Sequence, residues 1–377
     1  MTASASNPFD SKDILDGIRR WVEIETPTDA PDQVNRLATL VADGYRDLPA
    51  TIERVAGRDG CGDHLIARSS WGQDAPGILV LSHLDTVHPI GFIDRLPFSI
   101  DGDVAFGPGI YDMKGGAYLA YRAFRQICAD GARSPLGITH LFVSDEEIGS
   151  PTSRVLIEEL GHNAKYVLVT EPARDGGKIV TGRKGVARFD VSITGVPAHA
   201  GAKPEDGRSA IRELANVINT LEALNDLKRG VSVNVGVVRG GTRPNVIAEH
   251  AHAEVDARLP TQADAEEIIP KILGLTSRTE GVTVQVTGAL NRPPYEKSNA
   301  GAALFEHAKT LAKELGFDLA DMVTGGGSDG NFTAPFTATL DGLGVDGKGA
   351  HTHYEQMYIS SIEPRTRLLY RLYQTLL

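Results

Sequence analysis

Histidine and carboxylate side chains follow several predicted strands of this sequence, at positions where they could bind a metal ion. The apolar run Ile78–Ser82 predicts a buried strand, and it leads directly into His83-Leu84-Asp85. Imidazole is a common metal ligand, and a nearby carboxylate can orient its ring. The alternative is a strand end whose polar residues meet solvent. The triplet alone therefore indicates a candidate ligand, and other segments of the chain must decide.

Further groups could complete such a site. They are Asp112 in FGPGIYDMKGG, Glu146 and Glu147 in SDEEIGS, Glu171 in TEPA and His351 in GKGAHTHYE. Each has a structural alternative: a helix cap, a solvated acidic turn, a salt bridge with an arginine and a surface loop, respectively. Together, imidazole and carboxylate without thiolate suit zinc or a similar ion in a hydrolytic site. Two ions about 3.5–4 Å apart need a bridging carboxylate.

The elements that must position these residues alternate between strands and helices, which predicts an α/β domain with a mainly parallel sheet. The predicted strands Ile78–Ser82, Ile138–Val143 and Tyr166–Thr170 each run into one of the polar groups above. Ligands of parallel sheets bind beyond the carboxyl ends of the strands. The polar groups are therefore predicted to share one site, in which one of two adjacent glutamates binds metal while the other acts as a base.

The order of predicted elements changes to βαββαβ between 184 and 292, which is typical of a ferredoxin-like domain. The α/β pattern then resumes. We predict a catalytic, metal-binding domain formed by 1–183 and 293–377, with a second domain inserted over 184–292. A chain of 377 residues is also too long for one ordinary hydrophobic core.

The composition restricts the classes of function. The net charge of -11 leaves no basic excess for nucleic acid or for an anionic membrane surface. No run of eighteen apolar residues and no segment of signal-peptide type occurs, so the cytoplasm is the expected location. The chain has only 2 cysteines, which is too few for a cysteine-based zinc site or a disulfide framework.

The motifs HLDTVHP, GPGIYDMKGG and SDEEIGS and the histidine of GAHTHYE resemble the aminoacylase and glutamate carboxypeptidase family of dinuclear zinc metallopeptidases. The resemblance covers nearly the whole chain in the same order, and it is greatest to the bacterial folate-cleaving glutamate carboxypeptidases. It implies a zinc-peptidase-like catalytic domain and an inserted ferredoxin-like domain that serves as a lid and for dimerisation.

The resemblance also implies two zinc ions per subunit, with cobalt or manganese as alternatives. The implied ligands are His83, Asp112 and Glu171 for one ion and Asp112, Glu147 and His351 for the other. Glu146 would be the general base, Asp85 would orient His83, and the peptide bond after Asp112 would be cis. His353 is a rival to His351 as the ligand.

The inserted domain would supply the remaining functional residues. His199 in GVPAHAG would reach the partner subunit's site and stabilise an oxyanion, which implies a homodimer. Asn245 and Arg258 would bind substrate, and Arg292 and the turn at Gly326 would be further contacts near its carboxylate. The alternative for Asn245 and Arg258 is a hairpin residue and a surface salt bridge.

The implied activity is hydrolysis of the amide bond to a C-terminal or N-acylated amino acid, glutamate-like, in a small-molecule or peptide substrate. A deacylase of the aminoacylase or acetylornithine deacetylase type would keep the same motifs. A relative that only binds metal or ligand is the alternative from a different class, and such a relative would be expected to lose Glu146 or a ligand.

Overall fold

The computed structural model describes residues 7–131 and 133–377. Within them the chain forms two compact units. The first contains the described residues up to Gly182, with Lys297–Val323 and Ser328–Leu377, and the second contains Arg183–Glu296 and Thr324–Gly327. We propose these units as the two domains expected at 1–183 with 293–377 and at 184–292.

The regular elements are numbered here in chain order. The strands are β1 (Ala50–Val55), β2 (His64–Ser69), β3 (Gly77–His83), β4 (Ser99–Asp101), β5 (Val104–Phe106), β6 (Ile138–Val143), β7 (Ala164–Val169), β8 (Ile179–Arg183), β9 (Gly185–Thr194), β10 (Ser232–Gly240), β11 (His250–Leu259), β12 (Thr283–Arg292), β13 (Asp321–Thr324), β14 (Ala338–Leu340), β15 (Gly347–Lys348) and β16 (Gln356–Tyr358). The helices are α1 (Ser11–Val22), α2 (Pro31–Tyr45), α3 (Gly115–Ala129), α4 (Arg154–His162), α5 (Ala210–Glu222), α6 (Gln262–Leu273), α7 (Asn299–Glu314), α8 (Gly330–Thr333) and α9 (Ile362–Thr375).

A mixed, mainly parallel sheet organises the first unit, in the order β1-β2-β6-β3-β7-β14. β6, β3, β7 and β14 are parallel, so their carboxyl ends lie at one edge. Successive side chains of a strand point to opposite faces. In β3, Ile78 and Val80 therefore join one hydrophobic core, while Leu79 and Leu81 join a second core on the other face. The predicted α/β fold class with a mainly parallel sheet is confirmed.

A smaller sheet of the first unit, in the order β15-β16-β5-β4, brings two distant loops together. β16 pairs antiparallel with β5, with Gln356 opposite Phe106. The loop after β5 contains Asp112, and the loop before β16 contains His351, so this pairing sets the two loops side by side. The sequence predicts no long periodic element between 86 and 109, and the short strands β4 and β5 depend on this long-range pairing.

The second unit has the element order β9-α5-β10-β11-α6-β12 and the strand order β10-β11-β9-β12. All its strand pairs are antiparallel. Alternate residues of β11, among them Ala253, Val255 and Leu259, are buried in a core shared with α5 and α6. This is the ferredoxin-like arrangement predicted from the sequence.

Local capping explains where several helices begin. Thr261 and Asp264 form a capping box at the start of α6, and Ser209 accepts a hydrogen bond from Arg212 N at the start of α5. An N-cap residue also precedes α1. Asp10 takes that position, because its carboxylate accepts the first free backbone N–H groups, and Ser11 is the first helical residue. None of the helices in the described ranges combines the length and apolar character needed to cross a bilayer.

Candidate metal centre

His83 lies at the carboxyl end of β3, and its side chain is almost completely buried. Its Nε2 atom is 3.3 Å from Asp112 Oδ1 and 3.7 Å from Glu171 Oε1. Its Nδ1 atom is 2.9 Å from the main-chain carbonyl oxygen of Asp85. A hydrogen bond from Nδ1–H to that carbonyl leaves Nε2 as a lone-pair donor that faces the two carboxylates.

Asp112 occupies the kinked turn between β5 and α3, where the peptide bond to Met113 is cis. While its Oδ1 atom faces His83, its Oδ2 atom is 3.4 Å from Nε2 of His351. The same His351 nitrogen is 3.2 Å from Glu147 Oε2. One carboxylate therefore lies between two imidazole rings, and a second carboxylate flanks each ring.

Glu146 and Glu147 follow β6 in a tight turn that other carboxylates hold. The backbone N–H groups of both residues donate to the carboxylate of Asp85, each at 3.2 Å, and Thr28 donates its hydroxyl to the same group at 2.7 Å. From the sequence, the carboxylate of Asp85 is expected to orient the ring of His83. In the structure that carboxylate is 3.6 Å from His83 Nδ1, so Asp85 fixes the ring through its main-chain carbonyl.

Asp145 supports this turn from the other side. Its buried carboxylate accepts hydrogen bonds from the backbone N–H and hydroxyl groups of both Thr152 and Ser153. The acidic run 145–147 is therefore not a solvated turn: one acid holds the loop, and the next two project toward the imidazoles. No feature of the sequence distinguishes Asp145 from its neighbours, because its partners lie in the following loop.

The electrostatics of the cluster favour a cation. Burial lowers the pKa of His83, but Asp112 and Asp85 raise it, and the result is well above the ordinary value. Hydrogen bonds to Asp112 and Glu147 raise the pKa of His351 to about 11. Burial raises the pKa of Glu147, and the nearby negative charge of Asp112 adds to this rise. Positive charge is thus stabilised on both imidazoles by the surrounding carboxylates.

The donor set fits a divalent ion. One ligand atom each of His83, Asp112 and Glu147 lies within 4.8 Å of the other two, and the same holds for His83, Glu146 and Glu171. The Oε1 atom of Glu147 is buried and has no hydrogen-bond partner among the described residues. A buried carboxylate oxygen in that position is costly unless a cation compensates it. Imidazole nitrogens with carboxylate oxygens are the donors that zinc accepts in hydrolytic sites.

Two further side chains of the first unit belong to this centre, and of these only Arg174 is absent from the residues noted in the sequence. Arg174 Nη2 is 3.9 Å from Glu171 Oε2, while its buried Nε atom has no hydrogen-bond partner among the described residues. Glu355 accepts hydrogen bonds from the backbone around Asp112. Glu355 follows His351 by four residues, a spacing that favours His351 over His353 as the ligand, and the position of Arg174 three residues after Glu171 is the signal that could have found it.

The second unit contains the remaining predicted residues. His199 forms a bridge with Val246, and Ala200 N donates to the carbonyl of Asn245 at 3.0 Å, so His199 and Asn245 are neighbours. Arg258 makes a bidentate ion pair with Asp256: its Nε donates to Oδ1 at 2.7 Å and its Nη2 donates to Oδ2 at 3.1 Å.

Arg292 and Gly326 lie in the same unit as these residues. Arg292 ends β12 and is buried. The carbonyl oxygen of Gly326 accepts a hydrogen bond of 3.3 Å from the guanidinium of Arg183. The roles of His199, Asn245, Arg258, Arg292 and Gly326 in substrate binding stay predictions.

Residues 79–375 of this chain match Peptidase family M20/M25/M40. The chain belongs to this family. Carboxypeptidase G2 of Pseudomonas sp. is 30% identical to it over 95% of this chain and 88% of that protein. Succinyl-diaminopimelate desuccinylase of Delftia acidovorans is 25% identical over 94% of this chain and 96% of that protein. The resemblance seen in the motifs is therefore confirmed.

Solved structures of the M20 family share the fold. Aminopeptidase PepT of Bacillus cereus superposes with a TM-score of 0.76 at 21% identity, covering 98% of this chain and 99% of its own. The metallo-carboxypeptidase Sso-CP2 of Sulfolobus solfataricus gives 0.73 at 16% identity, covering 96% and 99%. Membership of the M20 family makes this protein a hydrolase of a metal-dependent peptidase and amidohydrolase family, with peptide or acyl-amino-acid substrates.

Proposed function

We propose that this protein is a dinuclear zinc amidohydrolase that cleaves the amide bond to an amino acid with a free carboxylate, C-terminal or N-acylated and glutamate-like. The observation that supports this best is the position of Asp112, whose two oxygens each face a different imidazole, at 3.3 Å and 3.4 Å. A carboxylate shared by two donor sets is what two ions about 3.5–4 Å apart require.

In this proposal His83 and Glu171 complete one ligand set around Asp112, and Glu147 and His351 complete the other. Bound ions supply Lewis acidity to the substrate carbonyl and to the attacking water. The protein fixes the ligands in place: the Asp85 carbonyl orients the His83 ring, and His83, Asp112 and Glu171 are buried away from competing water. Zinc suits this donor set, and cobalt or manganese could replace it.

Glu146 is the proposed general base. Its carboxylate lies within 4.8 Å of ligand atoms of His83 and Glu171, and its backbone is held by Asp85. Glu146 would accept a proton from the attacking water and pass it to the nitrogen of the leaving amino acid. One water is consumed, and the products are a carboxylic acid and a free amine.

The second unit supplies the proposed substrate contacts. We propose that His199 donates a hydrogen bond to the oxyanion in the site of a partner subunit, in a homodimer formed through this unit. Asn245 and Arg258 would bind the substrate, since a guanidinium can hold a carboxylate with two hydrogen bonds. Arg258 would then exchange Asp256 for the substrate. Arg292 and the turn at Gly326 are the further proposed contacts.

An N-acyl amino acid deacylase is the second candidate, and the similarity to a succinyl-diaminopimelate desuccinylase favours it. The similarity to carboxypeptidase G2, at higher identity over almost the same length, favours the carboxypeptidase. Both candidates use the same metal centre and differ only in the groups on either side of the amide bond. The cytoplasmic location stays a prediction.

A substrate screen tests the proposal. The purified protein would be loaded with zinc, cobalt or manganese and incubated with N-acyl amino acids that end in glutamate, aspartate or a neutral residue, in folate and aliphatic acyl series. Mass spectrometry should show release of the amino acid, fastest for glutamate, and Glu146→Gln should abolish it. Absence of hydrolysis in every metal form would leave the non-catalytic alternative, and a preference for neutral leaving residues would favour the deacylase.

A further inference from the structure

Glu355 is a completely buried carboxylate with its hydrogen-bonding capacity in use. Its Oε1 atom accepts from the backbone N–H groups of Tyr111 and Asp112, both at 2.9 Å. Its Oε2 atom accepts from the N–H of Gly109 at 2.9 Å and lies 2.7 Å from His88 Nε2. Since a carboxylate is an acceptor only, every one of these contacts requires a donor on the other side.

These contacts join the three segments that carry the candidate ligands His83, Asp112 and His351. His88 lies in the loop after β3, five residues beyond His83, and Gly109–Asp112 is the loop that ends at the shared carboxylate. Glu355 itself lies four residues beyond His351. The left-handed conformation of Gly109, with φ 72°, lets the N–H groups of the loop converge on one anion. One side chain thus connects all three loops.

We propose that Glu355 is a positioning residue that places Asp112 between the imidazoles of His83 and His351. In this way it sets the affinity of the proposed dinuclear centre for divalent ions. Glu355 acts through the backbone of Asp112. Its carboxylate is occupied by four donors, so it is not a ligand or a base. This inference rests on the proposed dinuclear centre and concerns how that centre is assembled.

The substitution Glu355→Gln tests the proposal with nearly the same volume. An amide has one oxygen in place of two and adds an N–H₂ donor. Whichever way it is oriented, that donor faces at least one backbone N–H of the Gly109–Asp112 loop. The loop must then shift, and Asp112 shifts with it. Outer partners of metal ligands typically change metal affinity about 10- to 100-fold when they are replaced.

Glu25 provides a matched control. Its carboxylate accepts backbone N–H groups of Gly91 and Ile93, both at 2.8 Å, in the same long loop after β3. It therefore makes the same kind of contact, but to no ligand-bearing turn. Zinc affinity would be measured by competition with a chromophoric chelator, and the cobalt form would be compared by visible spectroscopy.

We expect Glu355→Gln to bind zinc about 10- to 100-fold more weakly and to change the cobalt spectrum, while Glu25→Gln matches the unmodified protein. Thermal unfolding of the metal-free variants would be measured in parallel, so that a loss of stability is distinguished from a loss of zinc affinity. Unchanged zinc affinity and an unchanged cobalt spectrum in Glu355→Gln would overturn the inference. If the unmodified protein itself binds fewer than two ions, the proposed dinuclear centre fails, whatever Glu355 does.

A milder variant decides the matter if Glu355→Gln does not fold. His88 stacks on Phe92 with ring centroids 4.3 Å apart, so His88→Phe keeps an aromatic ring there and removes one of the four donors. We expect it to fold and to bind zinc more weakly than the unmodified protein, but by less than the roughly 10- to 100-fold expected for Glu355→Gln, since one of four contacts is lost. Zinc affinity equal to that of the unmodified protein would contradict the role of this carboxylate.

Discussion

Adjacent glutamates with different partners should have different functions. Glu147 contacts His351 and has a buried oxygen without a partner among the described residues, whereas Glu146 is grouped with His83 and Glu171. We expect Glu146→Gln to keep its metal and lose about 10²- to 10⁴-fold in kcat, because it would lack a proton acceptor. Glu147→Gln should bind metal more weakly. Metal content and kcat would be measured on both variants. If Glu146→Gln lost its metal and Glu147→Gln kept it, the roles of the two residues would be exchanged.

We expect the buried His140 to make the stability of the protein sensitive to acid. Burial lowers the pKa of this imidazole to about 3, and its nitrogens contact Ser82 Oγ at 2.8 Å and the Tyr45 hydroxyl at 3.0 Å. The unfolded chain has a histidine pKa of about 6.5, so it binds a proton first as the pH falls. The contribution of His140 to the free energy of unfolding is therefore present above pH 6.5 and decreases as the pH falls below that value.

For the metal-free protein we expect the His140 contribution to the free energy of unfolding to fall by about 2 kcal/mol between pH 7 and pH 5. Urea unfolding at both pH values measures it. His140→Gln should remove this part of the pH dependence, whereas Tyr45→Phe should lower stability and keep the dependence, because the imidazole remains buried. Equal pH dependence in His140→Gln and the unmodified protein would contradict the assignment.

At the scale of the elements, the turn after β6 depends on Asp145. Its carboxylate accepts four hydrogen bonds from Thr152 and Ser153, just before α4 begins. We expect Asp145→Asn to lower the free energy of unfolding by about 1–3 kcal/mol, since buried donors lose an acceptor. It should also weaken zinc binding, because the same turn carries Glu147.

A buried carboxylate in the second unit serves as the control for Asp145. Glu213 accepts a hydrogen bond of 2.7 Å from Arg278 N and one of 2.5 Å from the Thr279 hydroxyl. Glu213→Gln should destabilise the protein through the loss of similar hydrogen bonds, but its zinc affinity should stay unchanged. If Asp145→Asn is destabilised while its zinc affinity equals that of the control, the turn does not hold the ligand in place.

The limits of prediction from sequence also follow from the elements. His83, Glu146 and Glu171 were predicted together because each follows a strand whose apolar run is local. The proximity of Asp112 to His351 came only from the family resemblance, since it depends on the pairing of β5 with β16. The spacing of Glu355 from His351 is visible in the sequence, but its contact with the Asp112 loop and the different contacts of the Asp85 carbonyl and carboxylate could not be predicted, because they depend on loop conformation.

At the scale of the whole molecule, the proposed homodimer makes a prediction about mixed subunits. If His199 acts in the site of the partner, a dimer of Glu146→Gln with His199→Ala contains one site in which base and histidine are both intact. Two inactive variants should then recover a fraction of the activity after subunit exchange. Exchange would be shown with differently tagged subunits, and absence of recovery in tagged mixed dimers would contradict action across subunits.

The return of the chain to the second unit at Thr324–Gly327 has a practical consequence. Arg183 is almost fully buried, and its guanidinium donates to the carbonyl oxygens of Gly326 and Gly327, while Lys184 N donates to Thr324 O. A gene fragment that encodes only Arg183–Glu296 would omit these acceptors. We therefore expect a separately cloned second unit to require the segment Thr324–Gly327, attached by a linker. The gene segments that encode Arg183–Glu296 and Thr324–Gly327 should be exchanged between relatives only as a pair.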